Sequence, residues 1–264
     1  MEYEDLLLEK EGGIATITLN VPHKLNAITL GIRRSLPLVV DEIAKDDDVR
    51  VVIVTGAGRG FCSGADVTDL TENTDEPPEI SRHERRQLVG WGFAEIFPKL
   101  DKTVIAAING ACVGGGFSLA LSCDIRIASE MAKFGVAQIS RALVPDIAMT
   151  YFLPRITGTS GALELMLTAE IISATEAERS GIVSRVVPPD ELMKVTRELA
   201  DKIAQQAPIP VELTKKILYR AMLDDIARQL DLESWAQEIC LNTEDHKESV
   251  RAFFEKRLPQ FKGK

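Results

Sequence analysis

The sequence predicts an α/β fold, with a largely parallel sheet covered by helices and a helical segment at the C-terminal end. A continuous β-branched run over 51–55 is typical of a strand buried on both faces. Up to about residue 189 apolar strands alternate with helical patterns, which favours parallel strands joined by helical crossovers. Beyond Pro188 and Pro189 every apolar pattern has helical spacing. We therefore predict a core over 1–189 and a helical segment over 190–264.

The individual elements follow from periodicity and turn residues. Apolar runs at 6–9 and 14–20 flank Gly12 and Gly13, which predicts a hairpin. Helices are predicted over 29–45 and 81–97, and further strands over 104–108 and 125–128. The polar, proline-containing segment 71–80 is predicted to be a loop. In the C-terminal segment, helices are predicted over 190–205, 210–222, 224–241 and 243–257.

Composition narrows the class of protein. A chain of 264 residues that is 45% hydrophobic can bury one large core. The formal net charge of -9 argues against nucleic acid or an anionic membrane as the main partner. The acidic start lacks the basic region of a signal peptide, and no apolar run reaches membrane-spanning length. The cysteines at 62, 112, 123 and 240 lack the spacing of a disulfide framework, so we expect a cytoplasmic protein. They also lack metal-site spacing, and the histidines lie far apart, so we expect no metal.

Two glycine-rich strand exits are the main functional signal. Gly114, Gly115 and Gly116 stand where an apolar strand passes into an apolar helix, so a ligand can approach the unpaired N–H donors of the helix N-terminus. This pattern predicts an oxyanion or phosphate site, although a tight packing turn remains an alternative. A second exit, 56–66, follows the strand at 51–55. It does not match a dinucleotide fingerprint, because Phe61 occupies the third glycine position.

The order of the motifs resembles the enoyl-CoA hydratase/isomerase family, the crotonase superfamily, along the whole chain. The matching segments are NVPHKLNA at 20–27, GFCSGAD at 60–66, NGACVGGG at 109–116, CDIRIA at 123–128, LPRITG at 153–158 and GIV at 181–183. The resemblance implies a spiral of ββα units followed by a helical C-terminal part that builds homotrimers, usually stacked into hexamers. It also implies an acyl-CoA substrate, with coenzyme A as part of the substrate and no permanently bound cofactor.

The resemblance assigns site residues one by one. The thioester oxygen would accept hydrogen bonds from the backbone N–H groups of Ala65 and Gly115, which stabilise an enolate more than the ground state. Contacts to the acyl-CoA are expected from residues of the same motifs and of the last helix, namely Lys24, Leu25, Ala27, Ser63, Gly64, Asp66, Val67, Gly114, Phe253 and Lys256. By helical spacing alone, Phe253 and Phe254 would instead form an apolar stripe packed into the core.

The specific reaction is predicted from the positions at which this sequence differs from the catalytic residues of the family. Hydratases of the family use two glutamates, whose positions correspond here to Ser118 and Gln138, and neither can act as a carboxylate base. Asp146, predicted to open a helix, matches the catalytic aspartate of dienoyl-CoA isomerases and of ring-epoxyphenylacetyl-CoA isomerases. The latter also resemble this chain at 144–146, at 153–155 and at the ending 256–264. Outside that resemblance, Asp146 would be a first-turn acid that complements a helix dipole.

We therefore predict an acyl-CoA enzyme that stabilises an enolate, most simply an enoyl-CoA double-bond isomerase with Asp146 as acid and base. One alternative is a hydratase in which Ser118, Gln138 and Asp146 hold water. Others are a hydrolase or dehalogenase with an Asp146 nucleophile, and a non-catalytic acyl-CoA binder. The dehalogenases carry tryptophan where Gln138 stands, which disfavours that option.

Overall fold

A computed structural model describes residues 3–66, 92–222 and 226–264. Six strands form a large sheet in the order β1-β2-β3-β5-β7-β10, where β1 and β2 are antiparallel and every other pair is parallel. The strands are β1 (Leu6–Glu11), β2 (Ile14–Leu19), β3 (Val51–Gly56), β5 (Thr103–Ile108), β7 (Ile125–Ser129) and β10 (Arg185–Val187). The predicted hairpin and parallel sheet are therefore confirmed.

A second, smaller sheet has the order β4-β6-β8-β9. Its strands are β4 (Gly60–Cys62), β6 (Ala111–Val113), β8 (Lys133–Gly135) and β9 (Ile171–Ser173). Each of β3, β5 and β7 is followed directly by one of these short strands, so the chain steps from the large sheet to the small one before it enters a helix. This arrangement is the spiral of ββα units. Sequence periodicity did not predict the small sheet, because three-residue strands are too short to show a pattern.

Nine helices lie in the described residues, and most begin and end within a few residues of the predicted positions. They are α1 (Leu30–Ala44), α2 (Gly92–Glu95), α3 (Gly115–Ser122), α4 (Met149–Thr168), α5 (Ala174–Arg179), α6 (Leu192–Ala204), α7 (Pro208–Ala221), α8 (Ile226–Leu241) and α9 (Glu244–Glu255). Only the end of the helix predicted over 81–97 is described. The predicted loop over 71–80 lies outside the described residues, as does Val67.

Apolar layers cover both faces of the large sheet. On one face, Leu192 and Ala200 of α6 pack with Ile53 and Ile105. On the other face, the small sheet and helices α1 and α3 form the larger core, in which Phe117 and others are buried. Helix α3 packs against β4 and β6 of the small sheet and against α4, which positions the glycine run.

A buried ion pair fixes α7 to this core. Lys215 Nζ donates to Asp124 Oδ2 at 2.8 Å and to the carbonyl oxygens of Phe97 and Lys102 at 2.8 and 2.9 Å. Tyr219 Oη donates to the other oxygen of Asp124 at 2.9 Å. Burial lowers the pKa of Lys215, while Asp124 acts in the opposite direction. Since every charge is paired, this cluster anchors the helical segment and has no free group for catalysis.

The end of α9 differs from the core stripe predicted by helical spacing. Phe253 and Phe254 are 79% and 76% exposed, so that prediction is wrong for the single chain. The carboxylate of Asp245 instead ties the chain end to α9, by accepting from the N–H groups of Lys262 and Gly263 at 2.7 Å. Among the described helices, none is long and apolar enough to cross a membrane.

Candidate active site

The three glycines at the start of α3 are required for three different reasons. Gly114 has φ +56°, a left-handed conformation that L side chains rarely adopt. A Cβ on Gly116 would lie 2.2 Å from the carbonyl oxygen of Cys62, so this residue serves close packing. A Cβ on Gly115 would meet the side-chain ends of Ile28 and Ile147, at 3.1 and 3.3 Å, and would lie 3.8 Å from the Ala65 backbone nitrogen. Gly115 is therefore the position where a side chain would crowd the space next to the Ala65 N–H.

The two predicted donors lie next to each other. The Cβ position of Gly115 is 3.8 Å from the backbone nitrogen of Ala65. A parallel bridge between Ile28 and Ala65, with the Ile28 N–H donating to the Gly64 oxygen at 2.7 Å, fixes the second glycine-rich loop there. Within the described residues neither the Ala65 nor the Gly115 N–H has a protein acceptor. Two rigid, unpaired N–H groups side by side can bind one developing oxyanion.

Two asparagines that sequence reasoning had not assigned hold the loop in place. Asn26 is fully buried, and its Nδ2 donates to the carbonyl oxygens of Ala57 and Gly60 at 2.9 and 2.7 Å. Asn109 Nδ2 lies 2.9 Å from the carbonyl oxygens of Gly56 and Gly58. The signal was present in the motifs, since a buried Asn beside a glycine-rich turn commonly bonds to backbone groups.

The first motif packs against the same loop. Lys24 Nζ and Asp66 Oδ2 form an ion pair at 2.6 Å, and Asp66 is only 4% exposed. Ser63 donates through its N–H to the Leu25 oxygen at 3.0 Å and through its hydroxyl to the Lys24 oxygen at 3.0 Å. The predicted binding residues of 24–27 and 63–66 therefore come together, with Gly64 buried between Val113 and Gly115.

Asp146, Ser118 and Gln138 also meet at this site. Gln138 Nε2 donates to Asp146 Oδ1 at 3.0 Å, and Ser118 Oγ donates to the Asp146 carbonyl oxygen at 3.0 Å. Ser118 lies one turn into α3 after the oxyanion residues, and its N–H donates to the Gly114 oxygen at 3.1 Å. Gln138 and Ser118 therefore hold Asp146 near the glycine run, where Gln138 Oε1 lies 3.9 Å from the Cβ position of Gly114.

Asp146 does not open the helix, which differs from the prediction. α4 begins at Met149, whose N–H donates to the Asp146 oxygen at 3.0 Å. Ile147 and Ala148 stand between them with φ +50° and +57°, left-handed conformations that are costly for a β-branched residue. This turn moves Asp146 off the helix axis and brings the Ile147 side chain against Gly115, so a first-turn dipole role does not describe Asp146.

Cys62 lies beneath the site and is not a nucleophile. It is fully buried beside Gly116, and burial raises the pKa of its thiol to about 12. The thiol therefore stays protonated near neutral pH. Cys112 and Cys123 are also free and buried.

Two predicted residues and a sizeable cavity lie apart from these groups. No hydrogen bond, ion pair or ring contact joins Phe253 or Lys256 of the same chain to Ala65, Gly115 or Asp146. A cavity of about 690 Å³ lies between the C-terminal end of α3, α4 and α7, with Phe152, Leu218 and Phe261 in its wall. None of the predicted catalytic residues lines it, and its wall includes the paired charges of Lys215 and Asp124.

The unpaired N–H groups of Ala65 and Gly115 form an arrangement that can stabilise the oxyanion of an enolate. The model of the enoyl-CoA hydratase/isomerase family matches residues 9–264. The chain belongs to this family.

Individual relatives cover nearly the whole chain. The short-chain-enoyl-CoA hydratase of Clostridium acetobutylicum is 41% identical over 97% of both chains. The 1,2-epoxyphenylacetyl-CoA isomerase of Escherichia coli is 36% identical over 99% of both. The crystal structure of an enoyl-CoA hydratase from Bacillus anthracis superposes with a TM-score of 0.90 at 36% identity, and covers 99% of this chain and 100% of that one. The crotonase fold is therefore confirmed.

Proposed function

We propose that the chain is an enoyl-CoA double-bond isomerase in which Asp146 moves the proton. The Ala65 and Gly115 N–H groups would bind the thioester oxygen. Asp146 would remove a proton from Cα of a 3-enoyl-CoA, and electrons would move into the dienolate held by the oxyanion hole. Returning that proton to Cγ gives the 2-enoyl-CoA, so atoms and charge balance without a co-reactant.

The proposal of an isomerase rests on the presence of one carboxyl group among three neighbouring polar side chains. Of the three residues joined by hydrogen bonds, only Asp146 carries a carboxyl group that can accept and return a proton, because Ser118 has a hydroxyl group and Gln138 a neutral amide. The neighbouring acid, Asp66, is held in an ion pair by Lys24. One shuttle acid is sufficient for an isomerisation, whereas the family's hydration chemistry uses two carboxylates on one water.

Hydration is the second candidate, and the relatives support it. The 41% identical relative is named a short-chain-enoyl-CoA hydratase, and a 35% identical relative is named a crotonyl-CoA hydratase. In this version Asp146 would be the base, with Gln138 and Ser118 helping to hold the water. The two candidates differ in whether Cβ gains a hydroxyl group.

The experiment incubates a 3-enoyl-CoA and a 2-enoyl-CoA separately with the enzyme in deuterated water, and follows double-bond position, deuterium incorporation and hydration. For the isomerase, Asp146→Asn should slow isomerisation by about 10²–10⁴-fold, because the amide keeps the shape but takes no proton. Asp190→Asn, an exposed aspartate in the turn before α6, is the matched control and should retain full activity. Fast hydration of the 2-enoyl-CoA that survives Asp146→Asn would refute the isomerase and the role of Asp146 together.

The remaining expectations are proposed on the same basis. Coenzyme A would arrive as part of the substrate, and the three free buried thiols suit a reducing compartment such as the cytoplasm. We also propose a homotrimer or a stacked hexamer. Support comes from exposed apolar side chains of α8 and α9, among them Leu230, Trp235 and Phe253, which a second copy could cover.

A further inference from the structure

Gln138 contains a buried polar atom that has no partner. The residue is 8% exposed, and its Oε1 makes no hydrogen bond while its Nε2 donates to Asp146. Oε1 lies 3.9 Å from the Cβ position of Gly114. The amide cannot be reversed, because Oε1 would then face the Asp146 carboxylate oxygen. An unpaired buried carbonyl destabilises the folded chain, so packing alone does not account for a glutamine here.

We propose that Gln138 is a positioning residue for Asp146. The Gln138 amide holds the Asp146 carboxylate through Oδ1, so that Oδ2 is presented to the substrate. This inference rests on the proposed function of Asp146. The carboxyl group belongs to an exposed residue, and a side chain in that position rotates freely unless another group holds it.

Two side chains from different elements hold different parts of Asp146 by hydrogen bonds. Ser118, on α3, binds the backbone oxygen and so fixes the strained turn through Ile147 and Ala148. Gln138, at the 3₁₀ turn that follows β8, binds the carboxyl group itself. A hydroxyl group or a carboxylate at position 138 would not supply an N–H donor at this distance, whereas the amide supplies one without adding a charge.

Substitution of Gln138 by methionine distinguishes a role in activity from a role in stability. Methionine has nearly the same length as glutamine and no polar atom to leave unpaired, so Gln138→Met removes both the orphaned oxygen and the hydrogen bond. We expect its Tm to equal or exceed that of the parent. We expect kcat for the reaction of Asp146 to fall about 10- to 100-fold, with KM changed less than about two-fold, because a misoriented acid slows proton transfer without altering binding.

Thr196→Val is the matched control, because Thr196 Oγ1 is also buried without a partner but lies on α6, away from the site. It should keep or raise Tm and leave kcat unchanged. A second variant, Gln138→Glu, keeps the shape without the amide donor and should also lose kcat. In the Asp146→Asn background, Gln138→Met should cause no further loss, since the group it positions is gone.

Three results would overturn the inference. They are an unchanged kcat in folded Gln138→Met, an equal loss with and without the Asp146 carboxylate, and a fall in Tm that accompanies the fall in kcat for both substitutions at 138. Failure of the proposed function gives a different result, because Asp146→Asn itself would then remain active whatever stands at position 138.

Discussion

Substitution of Gly115 by alanine tests the oxyanion hole most directly. An oxygen that accepts from both N–H groups must lie about 3 Å from each nitrogen. The new methyl group would lie 3.8 Å from the Ala65 nitrogen, beside its own N–H, and would therefore compete with that oxygen. Loss of one oxyanion donor costs about 3 to 4 kcal/mol of transition-state stabilisation, so kcat should fall by about 10²–10³-fold.

The same substitution should have little effect on stability. The methyl group meets the ends of two flexible side chains, Ile28 at 3.1 Å and Ile147 at 3.3 Å, which must move by a few tenths of an ångström. A glycine replaced by alanine in a helix gains about 0.5–1 kcal/mol, which offsets part of that cost. Gly116→Ala is the contrast, because its methyl group would lie 2.2 Å from a backbone oxygen and should prevent folding.

The assay measures kcat and KM with an enoyl-CoA, the Kd of free CoA by calorimetry, and Tm. Gly115→Ala should melt within a few degrees of the parent and still bind free CoA, which has no thioester oxygen to place in the oxyanion hole. If folded Gly115→Ala retained the parent kcat, the glycine run would be a packing turn and the assignment of Ala65 and Gly115 would be refuted.

Three further predictions concern the scaffold. Asn26→Ala should lower the free energy of unfolding by about 2–4 kcal/mol in urea titrations, because the buried Val21 N–H loses its acceptor and the Ala57 carbonyl loses its donor; an unchanged midpoint would contradict this. Alkylation at pH 8 should label half-buried Cys240 long before Cys62, whose burial raises its pKa to about 12, and mass spectrometry of tryptic peptides would show the opposite order if Cys62 were accessible. Sedimentation should give a trimer or a multiple of three, and a monomer at micromolar concentration would exclude the proposed assembly.

The sequence by itself determined the parts of the fold that repeat or are long. The hairpin about Gly12 and Gly13, the strand at 51–55 and the C-terminal helices all carry apolar periodicity over five or more residues, and each was predicted within a few positions. The glycine run likewise predicted the start of a helix with accessible N–H donors, since a helix N-terminus without side chains exposes those groups.

Only the tertiary structure decided what lies opposite those donors. The short strands of the small sheet have no pattern of their own, yet they bring the loop of Ala65 against Gly115. The left-handed turn at Ile147 and Ala148 separates Asp146 from the helix that its sequence context predicted. The bond from Gln138 to Asp146 joins residues in adjacent turns, whose side-chain directions depend on backbone dihedrals and not on spacing. Local patterns therefore predict elements, while the relative placement of unpaired groups is set by long-range packing.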